Sequence, residues 1–189
     1  MDVYNMLVPI TLVMWFCGIS CFVGGWLVLG RADAKGGGFV VAMGGIAATL
    51  TVFISMAVYA PSNSIISGGP VAAPTGAALF LMCPIIYGLV LTSFGFHAFN
   101  GWDGRSQGWL AFYMGLTALF CQYMFWPDIF WQVMNFTWVV ALFATAAANL
   151  TKWPVAKFLA VWLIFACGLF SLLFASCALV AGWSAWGTI

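Results

Sequence analysis

The sequence predicts an all-α integral membrane protein with six transmembrane helices, paired as three hairpins, and with both termini outside the cytoplasm. Three observations support this fold class: 65% of the 189 residues are hydrophobic and only 5% are charged, the apolar residues form six stretches of span length, and the basic residues occupy alternate breaks between them. A soluble domain would carry about a quarter charged residues. Six spans use most of the chain, so residues 1–189 are predicted to form one transmembrane domain.

Six apolar stretches define the predicted spans. They cover residues 7–29, 38–60, 77–99, 108–126, 129–150 and 156–182. The first stretch is not expected to be a cleavable signal, because it is long enough to span and no basic residue precedes it.

The basic residues fix the predicted orientation. All five lie in the breaks after the first, third and fifth spans: Arg31, Lys35, Arg105, Lys152 and Lys157. The breaks near 60–76 and 126–129 contain no Lys or Arg, and neither does either end of the chain. Short cytoplasmic loops collect basic residues, so the three basic breaks are predicted to be inner loops that each close a hairpin.

Charge and motifs exclude several classes of function. The four acidic residues lie at ends or in loops, and the single histidine, His97, lies near the inner end of the third span. Proton-coupled carriers normally keep an ionisable residue at membrane depth, and hydrolase motifs such as HExxH and GxSxG are absent. We therefore predict no catalytic residue, no metal site, no cofactor and no enzymatic activity. A net charge of +1 without a basic patch also argues against a nucleic-acid partner.

The spans do contain neutral hydrogen-bonding side chains and two tryptophans far from span ends. The neutral polar residues are Thr92, Ser93, Gln122, Gln132, Asn135, Thr137, Asn149, Ser171 and Ser176. Such groups suit a small neutral solute, because a handful of hydrogen bonds offsets the cost of removing a neutral amide from water. They equally suit contacts between helices. Trp138 and Trp162 each need a partner or a polar lumen for the indole N–H.

Three segments carry a resemblance to a known family. The first is Arg31-Ala32-Asp33-Ala34-Lys35, which follows a glycine-spaced helix and precedes Gly44-Gly45. The second is Trp102-Asp103-Gly104-Arg105, before an aromatic helix start at Trp109. The third runs from Trp138 to Asn149-Leu150-Thr151-Lys152-Trp153-Pro154-Val155-Ala156-Lys157-Phe158. In order and spacing these resemble the hairpins of the bacterial urea and short-chain amide channels, the acid-activated urea channel and the amidase-operon transporters.

The resemblance implies a fold and a location. Members of that family place six helices around a pore in each protomer of a homo-oligomeric ring, a hexamer in known members, and conduct urea or short amides passively across the bacterial cytoplasmic membrane. The expected partners are the lipid bilayer and a small neutral solute. The inner-loop residues that match the family are Arg31, Asp33, Lys35, Asp103, Arg105, Lys152 and Lys157.

The resemblance also suggests pore-lining residues. Trp138 matches the first of two tryptophans in the family's fifth helix, while Leu142 stands at the second, and two family glutamates fall at Ala148 and Ala166. An aromatic Phe-Gly-Phe run in the third helix matches either 87–89 or 94–96. The residues expected to line the pore, by stacking, steric sizing or amide hydrogen bonding, are Tyr87, Leu91, Phe94, Trp138, Leu142 and Asn149.

A second interpretation is a non-transporting accessory subunit of a larger membrane complex. The missing glutamates and the charge-poor helix faces favour it, and its partners would be other membrane subunits. For a channel, the outer loops contain neither His nor Glu. Because a pH sensor outside the membrane relies chiefly on histidine, the channel is not expected to be gated by acid.

Overall fold

The computed structural model describes residues 4–59, 72–125, 129–151 and 153–174 and has the predicted all-α, six-helix architecture. Its helices are α1 (Tyr4–Val28), α2 (Ala34–Tyr59), α3 (Ala72–Asn100), α4 (Arg105–Cys121), α5 (Ile129–Leu150) and α6 (Ala156–Val161). A 3₁₀ turn, Gln122–Phe125, follows α4, and α6 continues directly as the π-helical segment Trp162–Phe174. The end of the predicted sixth span, after Phe174, lies outside the described residues.

Most of the described helices have the length and composition of membrane spans. Within the described residues, four are long and apolar enough to cross a bilayer, over the windows Thr11–Val28, Ala34–Ile54, Gln132–Leu150 and Ala156–Leu173. The outward placement of the two termini remains a prediction.

The six helices pack in a closed ring. Each helix contacts its neighbour in the sequence, and α6 with its π-helical continuation packs against α1. The most extensive contacts join α2 to α3 and α4 to α5. These two contacts join one predicted hairpin to the next. They are more extensive than the contacts within the second hairpin, α3 with α4, or within the third, α5 with α6.

Glycines explain why α2 and α3 approach so closely. A Cβ atom added at Gly95 of α3 would lie 2.5 Å from the Gly38 carbonyl oxygen and 2.7 Å from the Ala42 Cα. Two turns after Gly38 on α2, a Cβ added at Gly45 would lie 2.6 Å from the Gly88 carbonyl oxygen of α3. Small residues that let helix backbones meet drive packing where lipid removes the hydrophobic driving force. The glycines of α2 and α3 therefore allow the two helix backbones to touch.

The first two of the predicted inner loops share one backbone conformation. Gly30 and Gly101 end α1 and α3 with φ values of +67° and +65°, a conformation that glycine adopts without steric cost. The residue after each glycine then donates its backbone N–H to a carbonyl five residues earlier and so closes the end of the helix. Arg31 donates to Trp26 over 2.9 Å, and Trp102 donates to His97 over 3.0 Å.

A methyl group at Gly95 is expected to destabilise the bundle. In Gly95→Ala the new Cβ would meet backbone atoms of α2, which cannot rotate away, so we expect a loss of about 1–3 kcal/mol. The apparent melting temperature of the detergent-solubilised protein measures this loss. Gly115→Ala is the matched control, since its Cβ would lie 3.3 Å from the flexible Phe143 ring. Equal melting temperatures for the two variants would contradict the α2–α3 contact.

Candidate functional site

An aromatic stack crosses the interior of the ring. The rings of Tyr87 on α3 and Trp138 on α5 lie 4.2 Å apart between centroids, with an interplanar angle of 19°. Because α4 lies between α3 and α5 in the ring, these two side chains meet inside it rather than at a helix–helix seam. Tyr87 is 8% exposed and Trp138 is 3% exposed, so both face the interior and not the surrounding lipid.

Two leucines lie one helical turn from the stack, on the side of the loops that carry the basic residues. Leu91 follows Tyr87 by four residues on α3, and Leu142 follows Trp138 by four on α5, which puts each on the same face as its aromatic neighbour. Leu142 is among the largest fully buried side chains. Tyr87, Leu91, Trp138 and Leu142 belong to one buried cluster, and we call these four residues the constriction.

A chain of hydrogen bonds holds the constriction on the side that faces away from the basic loops. The Tyr87 hydroxyl donates to Asn135 Oδ1 over 2.5 Å. Asn135 Nδ2 donates to Gln122 Oε1 over 2.6 Å and to the Ala118 carbonyl over 2.8 Å. Gln122 Nε2 in turn donates to the Gln132 carbonyl over 2.9 Å. We call Gln122, Asn135 and Tyr87 the amide relay, which joins α3, α5 and the 3₁₀ turn after α4.

The two mid-span tryptophans have different surroundings. Trp162 donates its indole N–H to the Thr137 carbonyl over 2.9 Å, which ties the π-helical segment to α5. Among the residues that the structure describes, the indole N–H of Trp138 has no acceptor. The Trp138 N–H is not fully enclosed, because among the described residues the buried side-chain polar atom that lacks a partner is Gln107 Oε1 on α4.

The remaining expected pore residues lie toward the basic loops, which are the predicted inner loops. Phe94 is half-buried and covers Gly24 of α1, where an added Cβ would lie 2.9 Å from its ring. Asn149 donates from Nδ2 to the Thr145 carbonyl over 2.8 Å, and its amide oxygen contacts Gly104 in the α3–α4 loop. The structure thus gathers Tyr87, Leu91, Trp138 and Leu142, while Phe94 and Asn149 stand closer to the inner loops.

The single histidine is a link between helices. His97 Nδ1 lies 2.8 Å from the Ser93 carbonyl, and Nε2 lies 2.7 Å from the Ser106 hydroxyl. A carbonyl only accepts, so Nδ1 carries the proton and Nε2 accepts from Ser106 when the ring is neutral. His97 thereby joins the end of α3 to the start of α4.

The charged residues of the predicted inner loops that the structure describes are exposed. Each of the two aspartates accepts a hydrogen bond from a backbone N–H in the first turn of the following helix. Asp33 Oδ1 accepts from the Gly36 N–H over 2.6 Å at the start of α2. Asp103 Oδ1 accepts from the Arg105 N–H over 3.0 Å, and its second oxygen pairs with the Arg105 guanidinium. These two contacts lower the pKa of Asp103. Arg31, Lys35 and Lys157 are exposed, and Lys152 lies outside the described residues.

The amide relay was missed as a unit in the sequence. Gln122 and Asn135 stand out as polar residues in apolar spans, but Tyr87 and Asn135 are 48 positions apart, and no periodicity connects separate helices. One signal was present: Asn135 and Trp138 are three residues apart on α5, which places them on the same helix face.

Comparison with known proteins identifies the fold. No family model and no curated protein sequence matches the chain significantly. The crystal structure of the urea channel from the human gastric pathogen Helicobacter pylori matches with a TM-score of 0.71 and 16% sequence identity, over 90% of this chain and 96% of that chain. A cryo-EM structure of the Helicobacter pylori urea channel in the closed state matches with a TM-score of 0.68 and 16% identity, over 88% and 98% of the two chains. The fold implied by the sequence resemblance is therefore confirmed.

The two mid-span tryptophans are expected to respond differently to replacement by phenylalanine. Trp162→Phe leaves the Thr137 carbonyl without its donor and is expected to cost about 1 kcal/mol of stability. Trp138→Phe breaks no hydrogen bond to a described residue, so it is expected to cost less. Thermal unfolding in detergent compares the two variants; a larger loss for Trp138→Phe would show that its N–H is already bonded within the protein.

Proposed function

We propose that this protein is a passive channel for urea, short-chain amides or similar small neutral polar solutes. The observation that carries the proposal is the Tyr87–Trp138 stack across the interior of a six-helix ring. The shared fold supports it, since the matching structures are urea channels by name. No covalent bond is made or broken in this activity, so the protein acts as a selective passage.

The chemistry of the ring interior suits a neutral solute. The buried polar side chains among the described residues are hydroxyls and amides: Ser20, Gln107, Asn135, Thr137, Thr145 and Ser171. The acidic and basic residues lie at the helix ends and in the loops. An ion crossing this interior would need a ring of carbonyls or charged side chains to replace its water. A neutral amide needs only a few hydrogen bonds.

Each expected pore residue has a role in this proposal. Tyr87 and Trp138 close the passage by stacking on each other, and a planar amide stacks on their faces when they part, while the indole N–H of Trp138 donates to its carbonyl oxygen. Leu91 and Leu142 set the width just inward of the stack. These four side chains are at most 8% exposed, so a solute passes only as they move aside, which penalises larger molecules.

Phe94 and Asn149 belong to the inner half of the proposed passage. Phe94 adds an aromatic wall below Leu91, and Asn149 offers an amide beside the α3–α4 loop. We propose that a solute leaving the constriction meets these two side chains before it reaches the cytoplasm.

The outer surface of the ring suits lipid and further copies of the chain. Large apolar side chains are exposed along α2 and α4, with exposed fractions of 53% for Phe53, 61% for Ile54, 66% for Tyr113 and 82% for Phe120. We propose a homo-oligomeric ring in the bacterial cytoplasmic membrane, with one passage in each protomer.

Trp138→Ala is expected to abolish size selection. Removing the indole opens the stack, so the permeability to glycerol should rise relative to urea by about tenfold, which corresponds to a barrier lowered by about 1.4 kcal/mol. Stopped-flow swelling of proteoliposomes in urea, acetamide and glycerol gradients measures this ratio. Trp109→Ala is the matched control, because Trp109 is 64% exposed on the outer surface of α4.

Two results would contradict the channel. Solute-dependent swelling no faster than in protein-free liposomes, for the folded wild-type protein, would remove the proposed conduction. Co-purification with other membrane subunits in that case would support the accessory-subunit interpretation. If the ratio of urea to glycerol permeability is unchanged in Trp138→Ala, the passage does not run through the Tyr87–Trp138 stack.

Conduction is expected to be insensitive to outside pH between about 5 and 8, since the outer loops contain no histidine and no glutamate. Urea influx into oriented proteoliposomes at different outside pH values tests this expectation. A steep rise in influx on acidification would contradict it and point to a sensor elsewhere in the chain.

A further inference from the structure

Gln107 of α4 carries a buried side-chain carbonyl that has no hydrogen-bond partner among the described residues. The residue is 1% exposed, and its Nε2 donates to the Val90 carbonyl of α3 over 3.1 Å. Its Oε1 is enclosed and accepts no bond. A backbone carbonyl cannot donate, so the nitrogen must face Val90, and the amide cannot be reversed to pair its oxygen there. An unpaired buried acceptor lowers stability, and few are found in native proteins.

The contacts of α4 place Gln107 on the face that points into the ring. Its amide reaches α3, while the glycines on either side of it in the sequence contact α5. Gly104 contacts the Asn149 amide oxygen, and a Cβ added at Gly108 would lie 2.9 Å from the Asn149 Cβ. Because α4 lies between α3 and α5 in the ring, a side chain between these two contacts faces the interior. Ala111, one turn further on the same face, is fully buried.

The position of Gln107 differs from that of the constriction. The four constriction residues lie on α3 and α5, whereas Gln107 is the third residue of α4, close to the loop that follows α3. Val90, the residue that its amide reaches, follows Tyr87 by three residues toward the same loop. The unpaired carbonyl therefore lies on the basic-loop side of the Tyr87–Trp138 stack.

We propose that Gln107 forms a second binding site for the permeating solute, in which its Oε1 accepts a hydrogen bond from a solute N–H group. This inference rests on the proposed function and adds a residue of α4 to the passage. A small amide carries the N–H donors that a side-chain carbonyl accepts. Since Oε1 is enclosed, the solute reaches it only when interior side chains part, as they also must at the constriction. The carbonyl then gains the partner that it lacks in the closed ring.

Nuclear magnetic resonance of the side-chain carbonyls tests the site in the wild-type protein. The chain has three glutamines, at positions 107, 122 and 132, and no glutamate, so glutamine labelled with carbon-13 at Cδ gives three signals. Gln122→Met and Gln132→Met each remove one signal, which assigns the remaining one to Gln107. A carbonyl carbon moves to higher frequency when its oxygen accepts a hydrogen bond. Added urea is therefore expected to move the Gln107 signal to higher frequency.

Two controls accompany the titration. Gln122 is the internal control, because its Oε1 already accepts from Asn135, so its signal should move less than that of Gln107. Dimethyl sulfoxide is the control solute, because it is a small neutral acceptor without any N–H group and should leave the Gln107 signal in place. A Gln107 signal that urea also leaves in place would overturn the inference, since Oε1 then has a resident partner such as water or is never reached by the solute.

Gln107→Met tests the role of the site in conduction. Methionine has a similar length and removes the unpaired carbonyl, while the Val90 carbonyl keeps its bond from the Phe94 N–H within α3. The melting temperature is therefore expected not to fall. Urea permeability in proteoliposomes is expected to fall about fivefold, the equivalent of one ordinary hydrogen bond. Thr145→Val is the control, because this buried α5 hydroxyl bonds the Ala141 carbonyl of its own helix.

The outcomes separate this inference from the proposed function. If Gln107→Met conducts urea as well as the wild-type protein does, the second site is overturned while the channel stands. A lower melting temperature in that variant, together with unchanged conduction, would make Gln107 a structural link between α3 and α4. If the folded wild-type protein conducts no urea, the proposed function and this inference fall together. Where Gln107→Met does not fold, the titration of the wild-type protein decides.

Discussion

The contact between Tyr87 and Trp138 depends on how closely the surrounding helices approach. Both side chains project from helices that are not neighbours, so their ring separation is set by the diameter of the whole bundle. Glycines at the α2–α3 contact remove side-chain bulk where α3 must lie close to α2, and Gly108 does the same where α4 meets α5, since an added Cβ there would lie 2.7 Å from Leu150 Cγ. In a membrane, where hydrophobic burial does not drive helices together, such close approach is what fixes the interior.

The same geometry connects the fold to the proposed activity. An interior sealed by hydrocarbon must satisfy its polar groups from within, and the described buried hydroxyls and amides do so mostly by bonding the carbonyls of their own or adjacent helices. The amide relay differs because it crosses between helices and ends on a ring that faces the interior. Trp138 differs because its N–H is left for something that the chain itself does not supply among the described residues. In the proposed function, these two departures mark the place where the solute would bind.

Much of the fold follows from the sequence, because span length, composition and basic residues are local signals. The bounds of α5, Ile129–Leu150, coincide with the predicted span, and glycines end α1 and α3 at the predicted inner loops. The match to the family's Phe-Gly-Phe run was open, since both 87–89 and 94–96 fit it. The stacking of Tyr87 on Trp138 becomes visible only in the three-dimensional arrangement. The amide relay could not be predicted, because its bonds join residues far apart in sequence. Asn135 is recognisable in the sequence as a polar residue in an apolar span, but its role depends on partners that only the structure shows.

The central claim is that a small planar amide occupies the interior of the ring beside the Tyr87–Trp138 stack. Selenourea, a urea analogue with a strong anomalous scatterer, tests it in crystals of the protein grown in lipid and soaked with the compound. The account predicts an anomalous selenium peak inside the ring, within hydrogen-bonding reach of the Trp138 indole N–H. Selenium peaks found only on the lipid-facing surface, together with interior side chains in the same positions as in unsoaked crystals, would contradict it.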